Sequence, residues 1–208
     1  MSLTPAAIKR YDQQAPSTDR TETATVALGC FWGPDAQFGA LDGVVRTRVG
    51  YAGGSIADPS YHDLGDHTEA LQVDYDPSAR SFESLVDLAL RSHDHARQPT
   101  KTQYQNILFA STPAQAETIG AVLDARGLTR DGIETRIEPL DSFFLAEPYH
   151  QKHSLRGRQS LLSSFKQAGY DADELRESPA AAKCNAYAAG RELPDGNAFG
   201  GSSNRTVH

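Results

Sequence analysis

The chain has 208 residues, with 20 Lys and Arg against 27 Asp and Glu, a formal net charge of −7. That length suits one domain with extensions, and the acidic balance excludes a nucleic-acid binder, which needs a basic surface against phosphate. No apolar run nears the ~18 residues that cross a bilayer, the first residues lack the apolar core of a secretory signal, and two cysteines build no disulfide framework; a cytoplasmic setting with redox or catalytic thiols is expected.

Residues 1–22 are polar without sustained periodicity and read as an N-terminal arm. Thr23–Leu28 is short and rich in small and β-branched residues, a strand that ends at Gly29. The following CFWGPDAQFGALDG sets Phe31, Phe38 and Leu41 on one helical face, with Gly43 as the stop. Val44–Tyr51 reads as a second strand, closed by Gly53-Gly54, and Glu69–Tyr75 alternates as a third. Phe82–Ser92 is a helix with Phe82, Leu85, Val86 and Ala89 on one face, and Tyr104–Phe109 a fourth strand. Thr112-Pro113-Ala114-Gln115 is a capping box that opens a helix stopped at Gly127. Ile133, Thr135 and Ile137 alternate as another strand, and a last helix runs near Leu155–Ala168. This pattern predicts an α+β fold, a two-layer sandwich of a mixed, mostly antiparallel sheet with flanking helices around a ferredoxin-like core. The catalytic domain spans 23–170, and 171–208 reads as a flexible tail carrying Cys184.

Cys30 follows a strand and opens a helix, where unpaired N–H groups and the helix dipole lower a thiol pKa and raise the thiolate fraction; the other reading is a small packed hydrophobe. Phe31 and Trp32, the chain's single tryptophan, either cradle a methyl–sulfur group beside that thiol or pack the helix. Strand parity puts Glu69 with Leu71, Val73 and Tyr75 on the apolar face. A desolvated carboxyl there holds a proton near neutral pH as a general acid, unless the strand end frays and Glu69 turns to solvent. His93, His95, His150 and His153 match no zinc spacing, and no metal is expected.

These residues also lie in a familiar order. GCFWG (29–33), LDGVVRTRVGYAGG (41–54), DPSY (58–61), HTEALQVDYDP (67–77), TQY (102–104) and FFLAEPYHQ (143–151) resemble the A-type peptide methionine sulfoxide reductases. The resemblance implies reduction of methionine S-sulfoxide, free or in oxidised proteins and peptides, with no bound cofactor. Carried over, Cys30 is the nucleophile, Glu69 the acid, Phe31 and Trp32 the methyl-binding pair, and Tyr61 and Tyr104 hydrogen-bonding groups at the sulfoxide oxygen. Cys30 would become a sulfenic acid, Cys184, as the only other thiol, would resolve it to a disulfide, and thioredoxin or dithiothreitol would recycle a monomeric enzyme. Two departures stand out: only HDLGDHT separates Tyr61 from Glu69, and HARQPTK (95–101) has no aspartate where the family carries one. A degenerate member that senses oxidants or binds methionine-like groups is the alternative.

Overall fold

The computed structural model describes residues 3–193. Six strands form one sheet: β1 (Glu22–Leu28), β2 (Val44–Ala52), β3 (Thr68–Tyr75), β4 (Asn106–Ala110), β5 (Arg136–Pro139) and β6 (Phe143–Leu145), in the order β5-β4-β1-β3-β2-β6. The β4–β5 pair is parallel and the others antiparallel. With α2 (Trp32–Gly39) after β1 and α3 (Phe82–Arg91) after β3, the four central strands make the βαββαβ unit of a ferredoxin-like core. The fold is therefore α+β.

Alternation builds the two faces. Leu71, Val73 and Tyr75 turn toward the helices and pack with Phe31, Phe38, Leu85 and Val86, while Ala70 points the other way with Ala27, Ala52, Ile107 and Phe109. Ser81 caps α3 by accepting from Ser84 N–H at 3.2 Å. Thr112 caps α4 (Pro113–Ala125) by accepting from Gln115 N–H, and the Gln115 side chain reaches back to Ser111 N–H, so the box is offset by one residue.

Both ends of the chain depart from the sequence reading. The N-terminal arm contains α1 (Pro5–Gln14), capped by Thr4, with Ile8 fully buried. The last predicted helix is two, α5 (His153–Arg156) and α6 (Gln159–Gln167), separated at Gly157. Within the expected flexible tail, the described residues 171–193 are mostly α7 (Ala172–Glu177) and α8 (Pro179–Ala188); residues 194–208 lie outside the described part. Ser178 caps α8 and Pro179 begins it, an N-terminal signature followed by a helix-favouring alanine run. Small side chains let α8 approach α2 so closely that a Cβ on Gly39 would lie 2.9 Å from the Ala182 carbonyl oxygen. Among the described residues no helix is long and apolar enough to cross a membrane.

Candidate active site

β1 delivers Cys30 to the open end of the sheet. Gly29, at φ +74°, makes the left-handed turn that sends the chain into α2. Cys30 is exposed, and the Trp32 N–H hydrogen-bonds its sulfur. The next amide, Phe31 N–H, donates to Glu69 Oε2 at 3.1 Å, and Gln103 Nε2 donates to Oε1 at 2.7 Å. Glu69 is 1% exposed. Burial pushes its carboxyl up, and this outweighs the two hydrogen bonds and the Lys101 charge that favour the carboxylate. Parity thus puts Glu69 inside, against Cys30's own loop.

The thiol itself differs from expectation. Desolvation at the site pushes Cys30 up, the Trp32 N–H opposes this, and the nearby Glu69 charge adds to the rise. The helix start is present, but a sulfur partly withdrawn from water beside a carboxylate gains more from keeping its proton.

Aromatic rings wall the site. Phe31 is buried, with its ring centroid 6.1 Å from Tyr51 and 5.2 Å from His150. Trp32 stacks on His153 at 3.7 Å and 9°, so one indole face is taken by protein. Tyr61 lies 4.6 Å from His150. Its loop is pinned by Glu147, which accepts from Tyr61 N–H at 2.9 Å and from the Tyr51 hydroxyl at 2.7 Å. Tyr104 ends a 3₁₀ turn, Thr102–Tyr104, that also carries Gln103. Its phenol is pushed up by burial and by Glu69, Tyr61 and Cys30 around it. The structure thus gathers Cys30, Phe31, Trp32, Tyr61, Glu69 and Tyr104 at one end of the sheet.

Cys184 stays apart from them. It is buried in α8 among Ile8, Leu155, Phe165 and Leu175, and burial together with the Asp12 charge pushes its thiol up to about 12. Its helix neighbours are tied down: Lys183 Nζ donates to the Gly39 and Leu41 carbonyls, and Asn185 donates to Asp35 and accepts from Leu155 N–H. Cys184 is therefore not a thiol on a mobile tail, as its sequence context suggests, because the alanine-rich run folds into α8 and buries it.

The two short loops are firmly bonded. His67 accepts from Gly54 N–H at Nδ1 and donates from Nε2 to the Ile56 carbonyl, while Asp66 takes both Ser55 donors. In the loop 95–101, Gln98 accepts from Asn106 N–H and donates to the Asn106 and Glu134 carbonyls. His93 donates to the Ala89 carbonyl and pairs with the Thr135 hydroxyl. Among the described residues no cluster of three or more His, Cys, Asp or Glu is arranged to hold a metal.

Sequence reasoning assigned no role to Gln103, Tyr51, Glu147 or His150. Their signal was faint: Gln103 and Glu147 sit inside the TQY and AEPYHQ strings, and Tyr51 is the cross-strand partner of Glu69. His150 is 2% exposed, and its ring nitrogens find no hydrogen-bond partner among the described residues.

Comparison with known proteins agrees with this geometry. The family described as "Peptide methionine sulfoxide reductase" matches residues 22–178. The rice (Oryza sativa subsp. japonica) "Peptide methionine sulfoxide reductase A5" is 41% identical over 176 residues, covering 81% of this chain and 68% of the relative. The "Peptide methionine sulfoxide reductase" of Drosophila melanogaster is 40% identical with the same coverage of each chain. The solved methionine sulfoxide reductase A of Corynebacterium diphtheriae superposes with a TM-score of 0.55 at 33% identity, over 67% of this chain and 76% of that one. Reduced Mxr1 from Saccharomyces cerevisiae gives 0.56 at 28% identity, over 76% and 92%. With a buried carboxyl hydrogen-bonded to the loop of an exposed cysteine inside an aromatic wall, the chain belongs to the peptide methionine sulfoxide reductase family.

Proposed function

We propose that the protein reduces methionine S-sulfoxide, free or in peptides, through Cys30 and Glu69. The observation that carries this is the Glu69 carboxyl: fully buried, disposed by burial to keep its proton, and bonded to the amide next to Cys30. A sulfoxide lodged between Cys30 and the aromatic wall presents its sulfur to the thiolate and its oxygen to Glu69. Proton transfer from Glu69 to that oxygen makes the sulfoxide sulfur more electrophilic as the Cys30 thiolate attacks it and forms an S–S bond. The hydroxyl then passes to the Cys30 sulfur as that S–S bond and the old S–O bond break, so methionine departs and Cys30 is left as a sulfenic acid. Phe31 and the free face of Trp32 receive the methyl group, while Tyr61 and Tyr104 supply hydroxyls beside the oxygen. Thiols such as thioredoxin or dithiothreitol return Cys30 to its reduced state.

Turnover of each methionine sulfoxide epimer with dithiothreitol tests the reading. Reduction confined to the S-epimer and abolished in Cys30→Ser is the expected result. Equal activity in Cys30→Ser, or no reduction of the S-epimer, overturns it.

A further inference from the structure

Resting on that reading of Cys30, we propose that its sulfenic acid is resolved by a thiol from another molecule, with Cys184 taking no part. The 208 residues contain only these two cysteines, and they occupy opposite environments. Cys30 is exposed, whereas Cys184 has no accessible surface. For Cys184 to attack Cys30, its sulfur has to leave the apolar cluster that buries it and ionise.

The packing around α8 resists each step. Withdrawing Cys184 strips Ile8, Leu155, Phe165 and Leu175 of a neighbour, and moving the α8 backbone breaks the bonds of Lys183 and Asn185 to α2 and α5. The start of α8 is held too: Asp12 accepts from Ala180 N–H and from the Ser178 and Tyr170 hydroxyls, each at 2.7 Å. Just before it, Arg48 on β2 donates to both Glu177 oxygens. The Glu177 carboxyl is held down to about 2 by Arg48 and Arg176, so this anchor stays charged through the working pH range. A mobile resolving thiol needs the opposite: few contacts, exposure and a low pKa.

The chemistry closes without Cys184. An incoming thiol gives its proton to the departing hydroxyl, the S–O bond of Cys30 breaks, water leaves, and a mixed disulfide forms between Cys30 and the reductant sulfur. A second reductant thiolate attacks the reductant sulfur of that disulfide and releases the Cys30 thiolate. Two external thiols thus supply the two electrons and are oxidised to a disulfide. They come from two molecules of a monothiol or from one dithiol.

Single turnover with thiol counting distinguishes the possibilities. The wild-type chain, reduced and freed of reductant, is given methionine S-sulfoxide. We expect release of methionine, loss of a single thiol per chain, and a dimedone-reactive sulfenic acid on Cys30. Glutathione added next should leave a glutathione adduct on Cys30, and thioredoxin Cys→Ser lacking its second thiol a trapped protein–protein adduct; the relative rates identify the reductant class. Cys184→Ala should turn over within about twofold of wild type with either reductant, a change too small to signal a lost transition-state interaction. Loss of both thiols with a Cys30–Cys184 cross-linked peptide overturns the proposal. Failure to release methionine at all overturns instead the assignment of reductase chemistry to Cys30. Because the wild-type measurement stands alone, a poorly folding Cys184→Ala variant does not leave the matter open.

Discussion

Replacing Glu69 by Gln separates proton donation from site architecture. Glu69 accepts through both oxygens, from Phe31 N–H and from Gln103 Nε2. A glutamine of the same shape keeps one acceptor for Phe31 N–H, and a flip of the Gln103 amide turns its oxygen toward the new NH₂ group, so both contacts survive. The fold should therefore change by no more than about 1 kcal/mol, the worth of one neutral hydrogen bond. Catalysis should suffer far more. A positioned acid contributes roughly 10²–10⁴-fold, which at 1.36 kcal/mol per decade is about 2.7–5.4 kcal/mol of barrier. The pH profile adds a sign. Burial raises Glu69 and Cys30 alike, so the wild-type rate climbs as Cys30 ionises and falls as Glu69 loses its proton; Glu69→Gln loses the alkaline fall. Above the Glu69 pKa the same variant removes a negative charge beside Cys30, lowering the thiol pKa and speeding alkylation by iodoacetamide. Steady-state reduction and alkylation rates, measured across pH with a urea melt as control, check all three. A variant with near-wild-type turnover and an unchanged alkaline limb refutes the role of Glu69 as acid.

Other outcomes follow from single contacts. Asp12→Ala orphans three donors around the start of α8; a loss of about 2–3 kcal/mol in urea unfolding, with Cys184 becoming reactive to a thiol reagent in the folded state, is expected. Lys152 is fully buried, donates to Thr47 and lies 3.8 Å from Asp35. Lys152→Met leaves that carboxylate without its cation and should cost about 3–5 kcal/mol by the same measurement. A Cβ on Gly54 would meet the His67 ring at 2.5 Å, so Gly54→Ala should destabilise by about 1–3 kcal/mol, seen as a lower melting temperature.

The centre of the fold was legible because its signals are local. Alternation in Glu69–Tyr75 fixed both the strand and the inward side of Glu69, and Thr112-Pro113 marked a helix start by side-chain chemistry alone. The ends were not, since α1 packs on α6 and α8 while α8 rests chiefly on α2 and α5, partners remote in sequence that no local pattern announces. An alanine run carries little hydrophobic contrast, so α8 resembled a linker although Ser178-Pro179 announced a helix. The direction of the Cys30 shift depended on distances to Glu69 and on desolvation, which no strand–turn–helix pattern encodes. Glu147 and Gln103 act through residues remote in sequence, Tyr51, Tyr61 and Glu69, and became visible only when β2, β3 and the 3₁₀ turn met.

Gln151 closes the edge of the sheet beyond β6. Its side-chain amide accepts from Val49 N–H at 3.0 Å and donates to the Val49 carbonyl at 2.7 Å and the Ala146 carbonyl at 3.0 Å. β6 pairs with β2 only over Gly50–Ala52, so beyond it the carboxamide stands in for a peptide unit and extends the ladder without any strand. An edge finished this way offers no vacant donor and acceptor at Val49 to a neighbouring chain. The side chain that closes the border also fixes where the Glu147–His150 turn leaves the sheet, so one amide protects a vulnerable edge and sets one wall of the pocket.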